Sequence, residues 1–143
     1  MKIVVNRCFG GFGLSGAAQV EYLKRTTGQP LFAYRQTKYD FRDGVDEYKR
    51  VPIPSRKREI GGPTIHYLTK DAGPSIKKIP KDGYFYPDWE RDDKVLVSIV
   101  EEMGEKAWGD FAELEVVEIP DGVDWEIDEY DGSERIRERS REW

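Results

Sequence analysis

The run from Lys2 to Gly28, KIVVNRCFGGFGLSGAAQVEYLKRTTG, constrains this chain more than any other, because an apolar strand meets a glycine-rich turn and then a capped helix. Ile3, Val4 and Val5 make the short continuous apolar run of a buried strand. Ser15 stands where an N-cap belongs, for a helix running to about Thr27 with Gly28 at its C-cap side. Pro30 leads into a second strand over 31–36, LFAYRQ, so the opening third has the β-α-β order of many nucleotide-binding folds. Between strand and helix, Gly11, Gly13 and Gly16 satisfy G-x-G-x-x-G. Glycines beside a helix start leave main-chain N–H groups uncovered, which is how proteins hold anions such as phosphate.

Around the same turn, Asn6 offers an amide, Arg7 a guanidinium that can fork onto phosphate, and Phe12 a face for a base. With Ser15 and the amides of Gly11, Gly13 and Gly16 they compose a candidate ligand cradle. Tyr84, Tyr86 and Trp89, in KDGYFYPDWE, form a second aromatic cluster able to stack a base or bury an oligomer contact. The plain alternatives are a tight turn with Ser15 merely capping, and aromatic core packing. A dinucleotide fingerprint is incomplete, since the second strand ends Arg35-Gln36-Thr37 with no acid for a ribose hydroxyl.

The rest of the chain reads as more strands and one further helix. Residues 37–62 are polar, charged and broken by prolines and by Gly61-Gly62-Pro63, which predicts an extended loop or protruding arm. Strands are expected over 64–70 and 83–87. A helix starting near Asp92-Asp93 places Leu96, Ile99, Val100, Met103 and Ala107 on one apolar stripe. Residues 111–119 and 123–130, separated by Pro120-Asp121-Gly122, predict two adjacent antiparallel strands, a C-terminal β-hairpin. The fold class expected is α/β, with α+β as the alternative: one compact domain over 1–132, followed by a charged tail over 133–143. The tail is read as a frayed helix or a partner-binding extension.

At 143 residues there is room for one ordinary domain. A net charge of −5 disfavours a general nucleic-acid binder. The distribution is uneven: Lys and Arg crowd 49–58, whereas 113–131 hold nine acidic residues and no basic one. One end can attract an anion and the other can dock a basic partner. No apolar run approaches a bilayer span and no signal-peptide pattern opens the chain, so a cytoplasmic protein without a membrane partner is expected. Cys8 is alone, so no internal disulfide can form. His66 is the single histidine, which rules out a two-histidine metal site or phosphoesterase within one chain. Asp88, Glu47 and Lys49 do not make a nuclease metal cluster. No cofactor and no catalytic set is expected.

The segments IVVNRCFGGFGLS at the start and EVVEIPDGVDWEIDEYDG at 115–132 resemble a group of small uncharacterised proteins of tailed phages and prophages. That resemblance implies origin rather than activity: a cytoplasmic protein of an infected or lysogenic bacterial host. Small phage proteins often work by binding, some by occluding a host defence protein and some by sequestering a nucleotide signal of defence systems. The leading expectation is therefore a non-catalytic binding protein, with a homo-oligomer as one option, that captures a small phosphate-bearing ligand or nucleotide. Its rival is an inhibitor or accessory factor acting on a host protein through the acidic surface, and a small nucleotide-acting enzyme stands behind both.

Overall fold

A computed structural model describes residues 1–40, 45–54 and 65–139. Among them the chain is a single compact α+β fold of two α-helices and eight strands in three antiparallel sheets. The strands are β1 (Lys2–Asn6), β2 (Phe32–Asp40), β3 (Val45–Val51), β4 (Ile65–Leu68), β5 (Ser75–Ile76), β6 (Leu114–Glu118), β7 (Trp125–Tyr130) and β8 (Ser133–Glu138). The helices are α1 (Gly16–Arg25) and α2 (Lys94–Met103), the latter running into a 3₁₀ turn over Gly104–Ala107.

Helix α1 starts where its cap residue dictates. Ser15 Oγ accepts from the Ala18 amide at 3.1 Å. At the other end Gly28, in a left-handed conformation, donates its N–H to the Leu23 carbonyl. Asp93 caps α2 through the amides of Val95 and Leu96. The expected stripe of α2 is core: Leu96, Ile99 and Val100 are buried, with Val4, Leu14, Ala18 and Leu114 closing around them.

The β-α-β order holds along the chain, yet β1 and β2 enter different sheets and form no parallel crossover. Strand β1 pairs with β6, Lys2 opposite Glu118 through Asn6 opposite Leu114. Strand β2 lies in a sheet of order β4-β2-β3-β5. The pairing expected between 111–119 and 123–130 is not formed, and the reason is physical. Ile3, Val4 and Val5 are fully buried, so β1 must satisfy its backbone on both edges. It takes β6 on one side, and on the other the Val4 amide donates to the Arg91 carbonyl and the Asn6 amide to Glu134 Oε1.

The C-terminal hairpin is β7 with β8. Asp131 and Gly132, both at positive φ, form its two-residue turn. Residues 133–138, expected as the start of a tail, are thus a strand, while 140–143 lie outside the described residues. Likewise 45–51, expected in a loop, are a strand paired with β2. The rest of that expected arm at 41–44 and 55–62, with the Gly61-Gly62-Pro63 break and basic residues 56–58, lies outside the described residues. The strand expected over 83–87 is reduced to a bridge from Tyr84 to Leu68, flanked by hydrogen bonds from the Phe85 amide to the Tyr67 carbonyl and from the Thr69 amide to the Gly83 carbonyl.

Candidate functional site

Asn6, expected to present its amide to a ligand, is fully buried and spends that amide on the fold. Its Nδ2 donates to the carbonyls of Cys8 and Gly132 at 2.7 and 2.8 Å. Its Oδ1 accepts from the amides of Cys8 and Glu113 at 3.1 and 2.9 Å. One side chain therefore ties the end of β1 to the start of β6 and to the hairpin turn. Arg7 is also engaged: Nε donates to Glu115 Oε2 and NH1 to the Glu134 carbonyl, both at 2.9 Å.

The glycine loop is packed against its neighbours at several points, although a Cβ on Gly11 would meet open space. A Cβ on Gly132 would stand 2.5 Å from the Gly11 nitrogen, so the hairpin turn seats directly on the loop's backbone. The Gly13 carbonyl accepts from the Gly109 amide at 2.9 Å. At the helix start, a Cβ on Gly16 would meet Ile53 at 2.7 Å and the Tyr67 hydroxyl at 3.0 Å. Ser15 Oγ, besides capping, donates to the Lys106 carbonyl at 2.6 Å. Of the phosphate cradle expected from Asn6, Arg7, Gly11, Gly13, Ser15 and Gly16, the side chains of Asn6, Arg7 and Ser15 are thus engaged within the fold, while the amides of Gly11, Gly13 and Gly16 donate no hydrogen bond among the described residues.

Phe12 leaves that loop in another direction. With Tyr67, Tyr84, Tyr86 and Trp89 it lines an open cleft of about 510 Å³. Two elements far apart in sequence, the glycine loop and the 84–89 segment, are brought together here on one chain. Trp89 forms the back wall, meeting Tyr22 edge-to-face at a centroid distance of 4.8 Å and Phe85 at 6.0 Å. Tyr84 and Tyr86 lie parallel at 6.2 Å, and Tyr86 is 84% exposed. An exposed tyrosine pair at a cleft mouth leaves ring faces open to a planar ligand.

The polar groups of the cleft were not singled out by sequence reasoning. The Arg91 guanidinium stacks on the Phe12 ring, 3.6 Å from its centroid. Its fork closes on Glu134, with NH2 donating to Oε2 at 2.9 Å, and Glu134 is only 7% exposed. Asp88 also lines the cleft, is exposed, and makes no hydrogen bond or ion pair among the described residues. A second cavity of about 270 Å³ shares Leu14, Ile65 and Tyr67 with the first. Arg35, exposed and without an ion pair among the described residues, lines it with Asp110. Burial, and secondly the Asp110 charge, push the Tyr67 hydroxyl's pKa up.

His66 receives its one hydrogen bond from or gives it to the Tyr84 hydroxyl, Nδ1 to Oη at 3.2 Å, and desolvation lowers its pKa. Cys8 is a half-buried free thiol. Among the described residues no cluster of His, Cys, Asp and Glu is arranged to hold a metal, and no helix is long and apolar enough to cross a membrane. The acidic run is met by counter-ions that sequence reasoning assigned to the tail: Arg135 faces Asp128, Arg137 faces Glu126 and Arg139 approaches Asp124. No protein-family model, curated protein or solved structure matches this chain.

Proposed function

We propose that this chain is a non-catalytic binding protein that captures a nucleotide, with the base in the aromatic cleft between Phe12 and the 84–89 segment. The observation that carries the reading is the convergence of Phe12, Tyr84, Tyr86 and Trp89 around a cavity of nucleoside size. The phosphate is assigned to Arg35 in the adjoining cavity rather than to Arg7, whose guanidinium is engaged by Glu115 and the Glu134 carbonyl. In the phage setting that the sequence resemblance implies, such a protein acts by sequestering a nucleotide signal of its host. The acidic-surface alternative draws less support, because arginines of β8 sit across from the carboxylates of β7 and dilute their field.

The test is a thermal-shift and calorimetric screen of nucleosides and mono-, di- and cyclic nucleotides. A selective ligand is expected, recovered intact after incubation. Tyr86→Ala should weaken it by about tenfold, the usual cost of losing one stacking ring. Arg35→Gln should weaken nucleotides but not nucleosides, and Arg7→Ala should leave affinity unchanged. A flat screen with wild-type protein overturns the proposal.

A further inference from the structure

We infer that the base this cleft selects is guanine, read by the Asp88 carboxylate. The inference rests on the nucleotide reading above and adds the identity of the base. Asp88 sits between Pro87 and Trp89 on the cleft wall with no partner among the described residues. The other charged group on that wall, Arg91, has its fork closed on Glu134 and its face on Phe12. Gln19, also on the wall, commits its amide nitrogen to the Leu14 carbonyl at 3.1 Å, which leaves an acceptor oxygen. The tyrosine hydroxyls on the wall can donate or accept, so the fixed preference comes from the Asp88 carboxylate and the Gln19 oxygen, which ask the ligand for donors.

An ionised carboxylate is acceptor-only, with two oxygens side by side. Guanine alone among the common bases carries two adjacent donors, N1–H and the N2 amine, on its Watson–Crick edge. Adenine and cytosine set a ring-nitrogen acceptor next to their exocyclic amine. Uracil and thymine flank their single N–H with two carbonyls, which a carboxylate repels. A wrong base sets an acceptor against the carboxylate where guanine sets a donor, and that mismatch is what discriminates.

The experiment measures dissociation constants of guanosine, inosine, adenosine and xanthosine 5′-monophosphates for wild-type protein and Asp88→Asn. Wild type should bind the guanine nucleotide roughly tenfold or more tighter than the adenine one, with the hypoxanthine nucleotide, lacking the amine, in between. Asp88→Asn presents one acceptor and one donor, so it should lose the guanine preference and gain affinity for xanthine, whose N1–H and O2 match it. An unchanged melting temperature of the ligand-free variant is the folding control, since Asp88 has no partner among the described residues. Equal binding of all four nucleotides, with Asp88→Asn indistinguishable from wild type, overturns the guanine assignment and leaves the nucleotide reading standing. No binding of any nucleotide to wild type overturns both.

Discussion

The glycine loop and the aromatic cleft meet at Phe12 and differ in how they use their polar groups. In the loop, the side chains that could hold an anion already have partners: Asn6 makes four hydrogen bonds with its side chain and Arg7 lies against Glu115, while Gly132 packs on the backbone of Gly11. In the cleft, hydrophobic rings that would ordinarily be spent on the core stay at the surface, and the Asp88 carboxylate goes unpaired among the described residues. A burial cost explains the contrast. Groups enclosed between β1, β6 and the hairpin turn must be satisfied internally, whereas those at the cleft mouth still have water.

Glu134 joins the two regions, and removing it should have the largest effect. Its Oε1 accepts from the Asn6 amide and its carboxylate holds the Arg91 fork that backs Phe12. Glu134→Ala strands a mostly buried guanidinium and a buried N–H together, which costs about 3–5 kcal/mol by urea denaturation. If the loop and cleft are coupled as described, the residual folded protein also binds ligand more weakly. A stability loss below about 1 kcal/mol, the level of an exposed ion pair, would show that this clamp is not buried in solution.

Asn6→Ala should break the loop alone. It leaves the amides of Cys8 and Glu113 without their acceptor and the Gly132 carbonyl without a donor, for about 2–3 kcal/mol. At concentrations where the variant remains folded, its nucleotide affinity should match wild type. The rival view, in which Asn6 serves the ligand, predicts the reverse: affinity lost with the midpoint of denaturation unmoved.

Local signals were legible in the sequence where neighbours along the chain decide the outcome. Ser15 and Asp93 cap their helices, and the α2 stripe is core, because capping and helical periodicity depend on residues within one or two turns. The Asp131-Gly132 turn carried an equally strong local signal, an Asp-Gly pair between alternating segments, and taking 133–143 as a tail passed over it. Strand partners were not legible, because the burial of β1 on both edges is settled by Arg91 and Glu134 from distant parts of the chain. The same limit hid the site's polar groups. Asp88 and Arg91 differ in the cleft only because Glu134, 43 residues beyond Arg91, neutralises one of them.

The subtlest expected effect lies behind the cleft, where Tyr22 supports Trp89. Tyr22 donates its hydroxyl to Asp93 Oδ2 at 2.6 Å, and that bond first, then burial, push its pKa up to about 12. An unfolded tyrosine titrates near 10. Between the two values the unfolded chain has released a proton that the folded chain keeps, so this contribution is whole below about pH 10 and is lost as pH rises towards about 12. Solvent reaches part of the ring and screens the effect to a fraction of the nominal shift. Other tyrosines and lysines titrate in the same window, so the informative quantity is the difference in urea midpoint between wild type and Tyr22→Phe. That difference should favour wild type near pH 9 and shrink above pH 11. A difference independent of pH would mean that the hydroxyl does not hold Asp93 and that the Trp89 wall is fixed by packing alone.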